Sequence, residues 1–243
     1  MRQHRFPLNL PLQIGQNLIL PEAVAQHGVR VLRLRVGDHC VLFNGDGHDY
    51  TAIITSIQRQ QLHVRITDVQ PVQCESLLTI TLLQGIARGE KMDWILQKAT
   101  ELGVKSIIPV NSQRSQVRLD ESRAEKRWTH WQAVVAAACA QSGRARIPKL
   151  SMPSSLLSAL QSLPAEALRL NLDPEGGQRL ADLQQPEQGV IVAIGPEGGW
   201  SALDRQQLHA AGFQGLRLGP RILRTETAGL AALAALQLQW GDF

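Results

Sequence analysis

The sequence predicts an α/β protein in two parts: a small β-rich domain over residues 1–72 and a larger domain with a mostly parallel sheet over residues 73–243. Three observations carry this. Before residue 72, Leu62, Val64 and Ile66 alternate with His63, Arg65 and Thr67, the period of a half-buried strand. From Leu77 onward, apolar strand candidates alternate with amphipathic helical segments, as parallel sheets require. Near the carboxyl end two short strands each run into a Gly-Pro turn.

In the first part, residues 39–44 are strand-like and Asp46-Gly47 signals a two-residue hairpin, because a type I′ turn needs positive φ. Residues 49–56 return as the partner strand. Residues 21–31 read as a short helix, since Pro21 is tolerated in a first turn. Pro71 and its polar neighbours mark the boundary. Five of the seven His lie here without metal spacing, and read as surface residues or RNA contacts.

In the second part, residues 77–85 form a strand. Residues 90–102 form a helix whose Met92, Ile95, Leu96, Ala99 and Leu102 share a face. Gly103 stops it, because glycine enters the left-handed conformation at little cost. Residues 106–110 are a strand, ended at Pro109 or just after. Residues 121–141 form a longer helix with Trp128, Trp131, Val135 and Ala138 at helical spacing. The Trp pair reads as core rather than a base-stacking platform. Arg144, Arg146 and Lys149 follow, either complementing the helix dipole or holding phosphates. A helix over 154–163 and a strand over 167–172 come next. The apolar Val190-Ile191-Val192-Ala193-Ile194 then enters Gly195-Pro196-Glu197-Gly198-Gly199, and Ser201 with Asp204 fits a capping box. Leu216-Arg217-Leu218 enters Gly219-Pro220. The last helix, from Thr225 to about Gln239, is apolar nearly all round and predicts burial in the core or against a second subunit.

Composition narrows the function classes. No apolar run approaches the ~20 residues of a membrane span, and the start lacks the apolar stretch of a signal peptide, so no membrane role and a cytoplasmic location are expected. Cys40, Cys74 and Cys139 are far apart and form neither a disulfide framework nor a zinc motif. The net charge of +4 is uneven: residues 105–149 hold nine Lys and Arg against three Asp and Glu, while residues 150–243 hold six against nine. A basic middle fits either a polyanionic partner or a solvated helix face.

The glycine turns can be tested against known nucleotide sites. No Lys follows them in P-loop register, and Glu197 stands where a dinucleotide fingerprint needs its second glycine. A Gly-x-Ser-x-Gly elbow and convincing metal spacing are also missing. What remains is a pair of stiff turns poor in reactive side chains, suited to holding a flat ligand by the backbone. S-adenosylmethionine carries its own leaving group, so its site chiefly binds and orients.

Gly195-Pro196-Glu197-Gly198-Gly199-Trp200 and Leu218-Gly219-Pro220-Arg221-Ile222-Leu223-Arg224-Thr225-Glu226-Thr227-Ala228 resemble the bacterial 16S ribosomal RNA (uridine-N3) methyltransferases, the RsmE-type members of the SPOUT superfamily. Gln97-Lys98-Ala99-Thr100-Glu101-Leu102-Gly103-Val104, Gln141-Ser142-Gly143-Arg144 and the Arg2 to Phe6 start agree with it. The resemblance implies a PUA-like β-barrel that binds RNA, then a SPOUT methyltransferase domain with a C-terminal trefoil knot. It also implies a homodimer acting on N3 of one uridine in 16S ribosomal RNA or the small ribosomal subunit, with S-adenosylmethionine as donor and no metal. Donor binding falls to Leu172, Ile194, Gly195, Pro196, Gly198, Gly199, Leu218, Gly219, Ile222, Leu223, Arg224, Thr227 and Ala228. The glycines are otherwise ordinary turns, the apolar residues core, and Thr227 a helix cap. Deprotonating N3 calls for a base or an anion stabiliser: Glu197 or Glu226 for the first, Arg224 for the second. Loop bracing and helix-dipole pairing are the alternatives for the two carboxylates. Arg2, Arg5, Arg114, Arg118, Arg144 and Arg146 are the RNA candidates. Two other readings remain: a non-catalytic RNA-binding or ribosome-assembly factor, and a SPOUT enzyme that modifies ribose or another base.

Overall fold

The structure is a computed structural model that describes residues 4–58, 61–115 and 121–243, apart from the side chain of Glu121. The chain divides into two compact units. One comprises residues up to Glu75 together with Cys139–Ile147; the other comprises Ser76–Ala138 and Pro148–Phe243.

The first unit is a five-stranded sheet built from β1 (Arg5–Pro7), β2 (Asn17–Ile19), β3 (His39–Phe43), β4 (His48–Gln58) and β5 (Gln61–Pro71), with helix α1 (Glu22–Gln26) between β2 and β3. The order is β1-β3-β4-β5-β2. All pairs are antiparallel except β1 with β3. The predicted alternation holds on β5: Leu62, Val64 and Ile66 are buried and Arg65 and Thr67 exposed. They pack with Phe6, Leu20, Leu42 and Ile54 in one core. The expected 21–31 helix is α1 followed by one π-helical turn, His27–Val31. The β3–β4 connection differs from the expected two-residue turn. It spans Asn44 to Gly47, and positive φ falls on Gly45 and Gly47, not on Asp46. Asp46 instead accepts a 2.7 Å hydrogen bond from the Tyr50 hydroxyl.

A half-buried ionic network centred on buried Arg144 closes this unit. Arg144 is 3% exposed and its guanidinium grips Glu75 through Nε at 3.0 Å and Nη2 at 2.6 Å. The Arg144 carbonyl accepts from Arg5 Nη2 at 2.9 Å. Arg5 also pairs with Asp49 and lies over the Phe43 ring. Phe43, Cys139 and Ala145 pack beneath as a small apolar cluster.

The second unit holds β6 (Ile80–Gly85), α2 (Lys91–Glu101), β7 (Ser106–Asn111), α3 (Glu121–Ser142), β8 (Lys149–Leu150), β9 (Ser154–Ser155), α4 (Leu156–Gln161), β10 (Leu168–Leu172), β11 (Val190–Ile194), α5 (Ala202–Ala210), β12 (Gln214–Leu216) and α6 (Thr225–Trp240), α3 giving its last turn to the first unit. Its sheet runs β12-β10-β11-β6-β7-β8, with β9 also on β7, and every pair is parallel. The predicted face of α2 is buried at Met92, Ile95, Leu96 and Ala99, and Gly103 follows at φ +80°. Trp131 is buried, and half-buried Trp128 donates to the Leu150 carbonyl at 3.1 Å, so this pair belongs to the core. Ser201 and Asp204 form the expected capping box, with reciprocal bonds of 3.1 and 2.9 Å.

Four boundaries differ from expectation. The first strand begins at Ile80, and Leu77 stands exposed outside it. β7 continues through Pro109 to Asn111. The Val110 carbonyl bonds β6 and the Ile107 carbonyl bonds Ser151, so by alternation Pro109 faces away from β6. On that side β8 pairs at Ser106 and Ile107 and β9 at Val110 and Asn111, so the missing N–H falls where one partner strand has ended and the next begins. The helix expected at 154 begins at Leu156, because Ser154 and Ser155 pair with β7 and Ser155 caps the helix by accepting from Ser158 N–H. Finally, β12 ends at Leu216, leaving Leu218 in the following loop.

Replacing Arg144 with Ala should lower stability by about 3 kcal/mol, because the half-buried Glu75 carboxylate loses its partner and a buried side chain is deleted. Denaturant unfolding followed by circular dichroism reads this, and a change within error would remove the network as a keystone of the first unit.

Candidate active site

Three adjacent parallel strands, β12, β10 and β11, discharge their loops at one edge of the sheet, the edge where α/β proteins bind ligands. The loops enclose a cavity of about 520 Å³, a size suited to a small organic ligand. Leu172, Ile194, Leu216, Leu218, Leu223 and Trp200 supply apolar wall. The polar lining combines backbone at Gly195, Gly198, Gly199 and Gly219 with charged side chains, among them Lys91, Asp173, Glu197 and Arg224.

Each turn needs glycine for a physical reason. Gly199 and Gly219 sit at φ +65° and +128°, where a side chain is strained. The Gly199 N–H closes the first turn onto the Pro196 carbonyl at 2.8 Å. A Cβ on Gly85, at the end of β6, would come within 2.6 Å of Pro196. The turn is anchored from α6: the Thr225 hydroxyl donates to the Gly195 carbonyl at 2.6 Å and accepts from buried Gln84 Nε2 at 3.0 Å. Trp200 Nε1 donates to Asn171 Oδ1 on β10 at 2.7 Å, and Arg114 Nη1 to the Gly198 carbonyl at 3.1 Å.

Charge gathers on one side. Lys91, the first residue of α2, lines the cavity with its Nζ 3.6 Å from Glu197 and 3.5 Å from Glu226. Burial pushes the Glu197 carboxyl up, but N–H donors from Arg88 and its own backbone, with the Lys91 ammonium, outweigh it and hold Glu197 below the usual carboxylate range. Glu226 has one oxygen, Oε2, buried without a hydrogen-bond partner. Arg224 lines the cavity with an exposed side chain.

Most donor residues expected from the sequence converge here. Leu172, Ile194, Gly195, Pro196, Gly198, Gly199, Leu218, Gly219, Ile222, Leu223, Arg224 and Ala228 all line the cavity, as does Glu197. Thr227 does not: the helix begins at Thr225, so Thr227 turns outward and is exposed, and the hydroxyl at the cavity is Thr225. Glu226 adjoins the lining residues Thr225 and Ala228 without being one of them. Sequence reasoning missed Lys91, Thr225 and Gln84, whose partners lie far off in the chain. The spacing of Lys91 at a helix start offered the only signal.

The cationic candidates separate. Arg5 and Arg144 are corrected: both are committed to carboxylates inside the first unit rather than presented to a phosphate. Arg114 braces the Gly198 turn. Arg146 is exposed, with its guanidinium stacked against Gly47. Arg2 and Arg118 lie outside the described residues. Among the described residues, no group of three His, Cys, Asp or Glu could hold a metal, and no helix is long and apolar enough to cross a membrane.

The cavity fits S-adenosylmethionine in kind: apolar walls for a flat ring, backbone bared by two left-handed glycines, and carboxylates in the lining for a cationic ligand. Comparison with known proteins agrees. A family model described as an RNA methyltransferase domain matches residues 74–237, and one described as an RNA methyltransferase PUA domain matches residues 20–67. The ribosomal RNA small subunit methyltransferase E of Buchnera aphidicola (subspecies Schizaphis graminum) is 32% identical over 231 residues, 95% of this chain and 94% of its own. That of Bacillus subtilis is 28% identical, over 88% and 86%. A crystal structure of a ribosomal RNA small subunit methyltransferase E from Neisseria gonorrhoeae, bound to S-adenosyl methionine, superposes with a TM-score of 0.94 at 42% identity, covering 99% of each chain. A putative methyltransferase from Legionella pneumophila in complex with the same cofactor gives 0.95 at 39%, covering all of both. A fold, a cavity and a sequence kinship that extends from end to end thus lead to one conclusion: the chain belongs to the ribosomal RNA small subunit methyltransferase E family.

Proposed function

We propose that this chain transfers a methyl group from S-adenosylmethionine to N3 of one uridine in 16S ribosomal RNA, free or within the small subunit. The observation that carries the reading is the cavity formed where the Gly195 turn meets the loop between β12 and α6. When bound, the donor supplies an electrophilic methyl group on a positively charged sulfur. The chain itself holds and orients. The glycine backbones take the polar edges of the adenosyl group, and Leu218, Ile222 and Leu223 its apolar faces. Arg224 faces the uracil as its N3 proton leaves, and Glu197 or Glu226 receives that proton.

Residues 1–72 act in this reading as an RNA-binding PUA-like domain beside the 73–243 methyltransferase domain, with Arg146 and the undescribed Arg2 and Arg118 as phosphate contacts. The segment leading into α6 threads a trefoil knot; the Thr225 tie to Gly195 supports this, since it joins the two loops that a knot must interlock. The enzyme works as a homodimer. Support comes from α6, where Leu238 is 72% exposed and Leu230, Ala231 and Ala234 are only half covered within one chain. Its place is the cytoplasm, with the ribosome. An assembly factor without chemistry would leave a formed small-molecule cavity unused.

Purified protein with labelled donor should label small-subunit RNA, free or particle-bound, and nuclease mapping with mass spectrometry should find the methyl on uridine N3. A methyl on ribose, or none, overturns the assignment. Gly85→Ala should weaken donor affinity by calorimetry at least about tenfold, since a 2.6 Å clash must move Pro196 and ~1.4 kcal/mol suffices for that factor. Unaltered affinity would separate the Gly195 turn from donor binding.

A further inference from the structure

The proposed reaction must dispose of a proton, and the structure gathers an odd set of charges for it. Two carboxylates, Glu197 from the first turn and Glu226 from α6, share one ammonium, that of Lys91 from α2, at 3.6 and 3.5 Å. The set carries one negative charge more than it neutralises. The two carboxylates are not equivalent. Glu197 Oε1 accepts the Arg88 N–H at 3.0 Å as well as facing Lys91, so it is engaged in bracing the loop. Glu226 shows Lys91 only one oxygen, and its other, Oε2, is shut away from solvent with no hydrogen-bond partner. A buried acceptor left unpaired is costly, and such an atom calls for an explanation.

We infer that Glu226 is the proton acceptor for uridine N3 and that Lys91 steadies the uracil oxygen beside it. This rests on the function proposed above. The N3–H bond breaks with the proton going to the Glu226 carboxylate and the electron pair remaining on N3. That pair forms the N3–carbon bond as the carbon–sulfur bond breaks, its electrons passing to sulfur. The carboxylate loses its negative charge and the sulfur its positive one, so no outside reactant is needed and the site's total charge is unchanged.

Lys91 is the residue that joins this chemistry to the cavity, because it lines the cavity while Glu226 stands just behind the lining. Its ammonium has three donors. Two face the carboxylates, and the third is available to a uracil carbonyl, where charge builds as N3 is deprotonated. The donor's own carboxylate is a poor alternative partner, because the set already holds excess negative charge. The charged groups set against Glu226 are Lys91 and, through it, Glu197; Arg224 stands two residues before Glu226 with an exposed side chain.

The test uses the full chain and three readouts: single-turnover methylation at saturating donor and RNA across pH, donor affinity by calorimetry without RNA, and thermal stability. Glu226→Gln keeps the shape and should slow the chemical step by about 100-fold or more, the range of general base catalysis, with donor affinity unchanged. Lys91→Met should slow it also, and Lys91→Arg should restore part of the rate. Glu197→Gln should lower donor affinity more than the rate of the chemical step. The proposal is overturned if Glu226→Gln methylates at the wild-type rate, if its loss is wholly one of donor affinity or stability, or if Lys91→Met changes only donor affinity. Failure of the wild-type protein to make N3-methyluridine would instead refute the underlying function, so the two failures are distinct.

Discussion

The hydrogen bond from the Thr225 hydroxyl to the Gly195 carbonyl is the contact on which the site depends. It joins the end of β11 to the start of α6, elements thirty residues apart, at 2.6 Å. Gln84 holds the same hydroxyl from β6 and is itself fully buried. A glycine turn is locally permissive and has no fixed shape of its own. Here the shape comes from outside the turn: the Thr225 bond above, Pro196 pressed against Gly85, Arg114 on the Gly198 carbonyl, and Trp200 bonded to Asn171. Permissive backbone is thus held in one conformation by four separate elements, which is how a glycine turn becomes preorganised.

How far the sequence disclosed this depends on the range of each interaction. Features whose cause is local were legible. The Ser201 and Asp204 box, the stop at Gly103 and the alternation of Leu62, Val64 and Ile66 all follow from neighbours within four residues. The glycine turns were legible for the same reason, and nearly all the residues placed on them line the cavity. Features whose cause is distant were not. Arg144 looked like a phosphate ligand because its partner, Glu75, is 69 residues away. The helix start at Thr225 is legible, but which hydroxyl of its first turn meets the cavity is not: the Thr225 bonds to Gly195 and Gln84 are made to residues far off in the chain. The strand carrying Pro109 is legible to within a residue of its end, but nothing local reveals that β8 and β9 leave a space beside the proline.

The arginines show the same principle in energetic form. A cation in a basic stretch reads as an RNA contact only while it is free. Arg5 and Arg144 are drawn into the first unit, where Asp49 and Glu75 repay their desolvation and the Phe43 ring covers one of them. The net basic charge of the middle of the chain is therefore partly structural. What remains for a polyanion is the exposed remainder, such as Arg146, and the count of basic residues overstates it.

A division of labour follows from where each residue type can be placed. Besides glycine backbone and aliphatic side chains, the cavity lining holds two carboxylates, Asp173 and Glu197, and Glu197 is already engaged by the Arg88 N–H and Lys91. The helix starts that border the cavity add further charge: α2 brings Lys91 and α6 brings Glu226, one residue after the threonine that locks the turn. Because Thr225 and Glu226 are adjacent, the bond that shapes the donor site also fixes the position of the carboxylate. In the proposed reaction, binding geometry and proton transfer are set by the same first turn of α6, so a shift of that helix would disturb both at once.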